Sequence, residues 1–228
     1  MQTIRNHAMT VTVDELGAQL MSITAADGTE YLWNGDPAYW TGRAPILFPY
    51  VGRLTNDRYT YDGKEYEMTR HGFAKRSEFT VLTAGKDHVT LHIEDTEESR
   101  KIYPFAFRFD VSYVLEGNTL VVVYATENMD NKTMFFGLGG HPGFRVPLEA
   151  GKEFTDYRLT FAQPCQPSQV LLSDSYMLSG HEAAYPLENG VDLPLRHELF
   201  DHDAIILKNF ARSLTLSAGE GTRGLTLT

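Results

Sequence analysis

Apolar residues in this chain recur mainly with a period of two, in short runs broken by turn residues. Alternation of that kind lines one face of a strand and leaves the other face polar. Thr10-Val11-Thr12-Val13 and Ala18-Gln19-Leu20-Met21-Ser22-Ile23 read as strands joined at Glu15-Leu16-Gly17, and Asp27-Gly28 marks a hairpin turn before Tyr31-Leu32-Trp33. Glu78 to Leu82 and His88 to Ile93 pair around Gly85-Lys86-Asp87. Arg108 to Leu115 alternates, turns at Glu116-Gly117-Asn118 and enters Leu120-Val121-Val122-Val123-Tyr124. That last run is apolar on both faces and is expected to be a central strand. Residues 153–172 give two weaker strands, and 173–194 is expected to be a long surface excursion with at most one short helix. Ala204 to Lys208, Ser213 to Leu216 and Leu225 to Thr228 close the sequence as strands. No helical-period pattern is long enough for a full helix. The one helical signal is a turn at Asp36-Pro37-Ala38-Tyr39-Trp40, with Asp36 as N-cap and Pro37 first in the turn. Short, regularly spaced strands predict an all-β sandwich or barrel. Its last strand meets the chain end with an unpaired edge, which native sheets avoid.

A sandwich needs apolar mass, and 228 residues with 42% hydrophobic content supply enough for a single domain over 1–228. Acidic residues number 30 against 20 basic, a balance that argues against a nucleic-acid partner. One cysteine, Cys165, excludes an intramolecular disulfide and any multi-cysteine metal site. The N-terminus has no apolar signal core and no run approaches a membrane span, so no membrane partner is expected and the compartment is read as cytoplasmic. Nothing in the pattern sets an oligomeric state.

Two stretches carry candidate chemistry. The first, Pro45 to Glu78, holds Arg53 and His71 on loops flanking a hairpin. Asp62-Gly63 fits the centre of a type I′ turn between Arg58-Tyr59-Thr60-Tyr61 and Lys64-Glu65-Tyr66-Glu67-Met68. His71 is followed by Gly72, which permits close approach to the ring. The second, Gly137-Leu138-Gly139-Gly140-His141-Pro142-Gly143-Phe144, surrounds a histidine with glycines but lacks a dinucleotide-binding spacing. Taken singly, His71 is more often a loop histidine than a catalyst, Arg53 reads as well as a surface ion-pair partner and Asp203 as a turn residue before a strand. Serine hydrolysis lacks a Gly-x-Ser-x-Gly elbow, and no His-x-His or His-Glu-x-x-His spacing offers a metal site.

Taken in order, Pro45 to Leu54, His71-Gly72-Phe73-Ala74, Gly139-Gly140-His141-Pro142-Gly143-Phe144 and Leu199-Phe200…Asp203-Ala204-Ile205 resemble the aldose 1-epimerase (galactose mutarotase) superfamily, in its LacX-like branch. The resemblance implies a galactose mutarotase-like β-sandwich (supersandwich) and interconversion of the α and β anomers of a free sugar, without cofactor or metal. It implies His141 as general acid at the ring oxygen, His71 orienting the ring or sharing the proton, and Arg53 and Asp203 holding sugar hydroxyls. Histidine suits proton transfer near neutrality. The family's general base is a late glutamate near a tryptophan. Here the final Trp is Trp40, and Glu220 lies in a turn, Ala218-Gly219-Glu220-Gly221, that does not match. The expectation is therefore a sandwich lacking its C-terminal strands and a mutarotase with an impaired base. Two alternatives stay open: a carbohydrate-binding module without chemistry, and a hexose-6-phosphate epimerase using Arg70, Lys75 and Arg76 around His71, although loop cations are usually only solvated.

Overall fold

In the computed structural model, which describes residues 1–228, regular structure is almost entirely antiparallel strand, as the alternation predicts. The chain forms two compact units, Met1–Arg145 and Val146–Thr228.

Unit 1 contains β1 (Gln2–Arg5), β2 (Met9–Val13), β3 (Leu20–Ala25), β4 (Ile46–Leu47), β5 (Arg58–Tyr61), β6 (Lys64–Glu67), β7 (Thr80–Ala84) and β8 (His88–Glu94). After the six-residue helix α1 (Glu97–Ile102) come β9 (Phe107–Glu116), β10 (Thr119–Asn128) and β11 (Gly139–Gly140). One sheet is ordered β1-β2-β3 and a second β10-β9-β8-β7, with β5-β6 and β4-β11 as separate ribbons. Alternation decides which face is buried: Phe107, Phe109, Val111, Tyr113 and Leu115 of β9 point inward while their neighbours are half-buried. They meet Val89, Leu91 and Ile93 of β8 and Val11 and Val13 of β2 in one cluster, so the two sheets share a core. Each such side chain contributes roughly 1.5–3 kcal/mol by leaving water. The one polar atom this costs on β9, the Tyr113 hydroxyl, donates to the Ala18 carbonyl at 2.7 Å.

Three expectations need correction. β10 is an edge strand of its sheet: Leu120, Val122 and Tyr124 pack on the core, whereas Val123 is 48% exposed. An apolar outer face therefore misread an edge as a centre. The charged segment Glu97–Ile102 is a helix; it buries no side chain and has no apolar stripe, and it starts from a capping box between Thr96 and Ser99. The third correction lies in unit 2, where 173–194 carries strands.

Unit 2 contains β12 (Tyr157–Phe161), β13 (Ser168–Leu172), β14 (Leu178–Ala184), β15 (Asp192–Pro194), β16 (Ile206–Lys208), β17 (Leu214–Ala218) and β18 (Gly224–Leu227). They form sheets ordered β15-β12-β17-β18 and β14-β13-β16. Nearly every residue of β14 is exposed, so its pairing to β13 rests on the backbone ladder and leaves no hydrophobic pattern to read. The small core gathers Phe161, Leu193 and Ala211 with Leu159, Leu207 and Leu214 around them. Glu220 sits in the turn between β17 and β18, as its glycines indicate.

Candidate active site

The site in unit 1 is built on Phe48. This side chain is fully buried, with Phe109 stacked on it at 4.5 Å and Phe73, Tyr103, Phe107 and Phe136 around it. Burying an aromatic ring among others fixes its backbone as well as its ring. The Phe48 carbonyl accepts the N–H groups of Phe73 at 3.0 Å and Ala74 at 3.1 Å, and Phe48 bridges Gly72 in parallel. One anchored residue thus joins the loop carrying Arg53 to the loop carrying His71. The approach is so close that a Cβ on Gly72 would lie 2.2 Å from the Phe48 carbonyl oxygen. Gly72 also has φ 72°, and neighbouring His71 has φ 68°.

His71 is clamped at both its backbone and its ring. Its N–H donates to the Gly52 carbonyl at 2.9 Å, and its Nδ1 accepts the Gly52 N–H at 3.1 Å. A neutral imidazole whose Nδ1 accepts must carry its proton on Nε2. Burial, reinforced by the positive charges of Lys75 and Arg70, by the neighbouring His141 and by Arg53, pushes His71 down to about 4. It is therefore neutral at pH 7, with Nε2–H as a fixed donor.

His141 follows β11, whose Gly139 and Gly140 pair with Leu47 and Ile46 of β4. Its N–H donates to the Pro45 carbonyl at 3.1 Å. The ring is exposed, no carboxylate pairs with it, and its centroid lies 5.7 Å from that of His71. Two histidines separated by 70 positions thus converge, because β4 and β11 pair beside the Phe48 anchor.

Trp40, which the sequence reading placed in a helical turn but not in the site, meets the His141 ring edge-on at 5.3 Å. That turn exists: the N–H groups of Tyr39 and Trp40 donate to the Asp36 carbonyl, and the Asp36 side chain accepts from Ala38. Trp33 Nε1 then donates to the Trp40 carbonyl at 2.8 Å. The signal that could have found Trp40 is Gly143, where a Cβ would stand 2.8 Å from the indole.

Arg53 follows Gly52, is exposed and has no ion-pair partner; its charge reaches His71. Asp203 belongs to unit 2, in an exposed turn with φ 71°, where its carboxylate accepts the N–H of Ala204 at 2.8 Å. An apolar cavity of unit 1, about 550 Å³, is lined by Tyr59, Tyr61, Tyr103, Phe105 and Phe135 among others. Neither imidazole lines it and no charged group does, so the site is assigned from the histidines rather than from the cavity.

An antiparallel β protein thus presents one clamped, neutral imidazole and one exposed imidazole side by side. The aldose 1-epimerase family model matches residues 1–225, and the chain belongs to that family. The plasmid-encoded protein LacX of Lactococcus lactis subsp. lactis is 36% identical over 231 residues, covering 97% of this chain and 77% of its own length. A galactose mutarotase related enzyme from Lactobacillus acidophilus superposes with TM-score 0.92 at 34% identity, covering 99% of this chain and 75% of that one. A galactose mutarotase-like protein from Lactobacillus casei gives 0.90 at 35% identity, covering 99% and 78%. The fold is accordingly galactose mutarotase-like, and the LacX-like branch is the right one.

Proposed function

We propose that this chain binds an aldose with a free anomeric hydroxyl and interconverts its α and β forms. The observation that carries the reading is the convergence of the two imidazoles at 5.7 Å, with His71 held as an Nε2–H donor by the Gly52 N–H. Mutarotation requires a proton delivered to the ring oxygen and one removed from the anomeric hydroxyl; the C1–O5 bond breaks, C1 rotates and the bond re-forms on the other face. His141, exposed and unpaired, is assigned to the ring-oxygen proton. His71 is assigned to donate a hydrogen bond from Nε2 and to orient the sugar, which makes proton sharing by His71 unnecessary. Arg53 is assigned to a sugar substituent. For Asp203 the support is the resemblance of its own segment, and Asp203→Asn is expected to raise KM with kcat little changed.

The pair offers one mobile proton and one fixed donor, and no carboxylate bonds to either ring, so the proton leaving the anomeric hydroxyl passes to water. General acid–base assistance is typically worth about 10²–10⁴-fold, and the proposed turnover without a carboxylate base is reduced on that scale. The same feature favours a second reading, sugar binding without chemistry. Polarimetry on freshly dissolved α-glucose and α-galactose separates them. In a mutarotase, His141→Ala abolishes the acceleration while sugar binding persists; a binding module gives no acceleration to abolish. A rate from the unaltered chain matching an enzyme with a full acid–base pair would remove the impaired-base proposal.

A further inference from the structure

The two histidines are held very differently. A hydrogen bond from the Gly52 N–H fixes the His71 ring, whereas the exposed His141 ring forms no hydrogen bond within the chain. A side chain in that situation exchanges quickly among its staggered rotamers. Two rings flank it: His71, with centroids 5.7 Å apart, and Trp40 at 5.3 Å, with 60° between the indole and imidazole planes. Trp40 itself is firmly seated. Its N–H donates to the Asp36 carbonyl at 2.9 Å, and its carbonyl accepts the Trp33 Nε1–H at 2.8 Å. The six-membered ring of the indole occupies space that two glycines leave free. A Cβ on Gly42 would lie 2.6 Å from Cζ2, and one on Gly143 would lie 2.8 Å from Cζ3. Neither glycine has a positive φ, so what glycine supplies at both positions is room rather than backbone freedom. Gly143 is also bonded on both sides, its N–H to the Arg43 carbonyl at 2.7 Å and its carbonyl to the Trp33 N–H at 2.8 Å. The loop of His141 and the turn of Trp40 are thereby joined two residues from the imidazole. Trp40 is only half-buried, so this seat does more than fill a core.

We propose that Trp40 is a positioning residue: the seated indole selects the His141 rotamer that faces His71. Edge-to-face pairs of aromatic rings favour one mutual orientation over others, and the electron-rich face of an indole attracts a cation such as imidazolium. The inference rests on the mutarotase reading for the task of His141 but not for the contact with Trp40. A proton donor has to be within reach of the ring oxygen as the C1–O5 bond breaks, and a donor that wanders among rotamers is in place for only part of the time.

The test reads the His141 rotamer directly, through three-bond side-chain couplings measured by NMR on the full chain. The expected result is a single χ1 rotamer in the unaltered chain and in Trp40→Phe, and averaged couplings in Trp40→Leu, which is apolar but has no aromatic face. Gly42→Ala puts a methyl into the indole's seat and should give the same averaging with the tryptophan still present. Unshifted amide signals of Phe109 and Tyr113 show that unit 1 stays folded in each variant. In polarimetry on α-glucose, Trp40→Leu is expected to lower kcat about tenfold or more with KM little changed, and Trp40→Phe to recover most of it. A single His141 rotamer retained in Trp40→Leu would overturn the inference. So would a raised KM at unchanged kcat, which would make Trp40 a sugar contact instead. The two claims fail separately. An unaltered chain that does not accelerate anomerisation sinks the mutarotase reading and leaves the couplings to decide the role of Trp40; averaged couplings in Trp40→Leu with kcat intact overturn the inference and leave that reading standing.

Discussion

Gly72 shows how the position of the His71 ring depends on a single hydrogen in place of a methyl. Its left-handed backbone and its distance from the Phe48 carbonyl exclude a side chain. Left-handed geometry alone costs an L-residue roughly 1–2 kcal/mol, and a Cβ at 2.2 Å forces the Phe48 carbonyl to move as well. Gly72→Ala is therefore expected to lower the thermal midpoint and to loosen His71, so that calorimetric sugar binding weakens together with stability. His71 itself gives a pH prediction with a definite sign. The unfolded ring protonates near 6.5 and the folded ring near 4. As pH falls through that window the unfolded state takes up a proton that the native state refuses, so stability drops on acidification and not on alkalinisation. Because the ring is half-buried, the effect is modest. Urea midpoints between pH 4 and 7 should fall less steeply for His71→Gln than for the unaltered chain; identical slopes would contradict the assignment. Nitrogen-15 NMR should find His71 in the Nε2–H tautomer and unchanged from pH 8 to 5.

The β5–β6 hairpin is the element whose anchoring is easiest to trace. Asp62 and Gly63 both have positive φ, 49° and 70°, as a type I′ turn demands. Tyr59 stacks on Tyr66 at 5.4 Å, and its hydroxyl donates to the Ile102 carbonyl at 2.8 Å, tying the ribbon to the end of α1. Burial pushes that phenol up to about 12. Tyr59→Phe keeps the stack and removes the tie, at about 0.5–1.5 kcal/mol; Thr96→Ala removes the cap at the other end of α1 for about 1 kcal/mol. Both are read by chemical denaturation, and a Tyr59→Phe chain as stable as the parent would show the tie to be idle. The hairpin was legible because its turn residues and its alternation are local, and β8 and β9 were legible for the same reason. β14 was not, since exposure on both faces erases the pattern, nor was α1, whose charges carry no stripe. In the site, His71 and His141 stood out through their adjacent glycines. Trp40 did not, because the glycine that makes room for it is Gly143, 103 positions later. The tautomer of His71 was beyond reach altogether, as it depends on one backbone N–H at Gly52.

Across the whole chain the apolar mass is unevenly spread, and local stability should follow it. Unit 1 closes over a continuous cluster in which Phe48, Phe109, Val111 and Leu91 are fully covered. Unit 2 buries eight hydrophobic side chains against 24 in unit 1, and has an apolar cavity of about 480 Å³ lined by Leu159, Phe161, Leu193, Phe200 and Phe210 among others. Side chains bordering this solvent-open pocket meet water rather than packed neighbours on one side, which thins the contacts that hold the unit together. β14 adds little, with Leu178 70% exposed. Amide groups open with free energies that track how much buried surface their opening uncovers. Native-state hydrogen exchange should therefore find the amides of Phe109, Val111 and Tyr113 opening only with global unfolding. Those of β14 should exchange through a local opening at least about a hundredfold more often, a difference of roughly 2.7 kcal/mol at 1.36 kcal/mol per factor of ten. Filling the cavity tests the cause: Ala204→Val should slow exchange in β12 and β16 and leave β9 unchanged if missing contacts are what loosens this unit. Equal protection in β9 and β14 would mean that backbone pairing, not apolar burial, sets the stability of these strands.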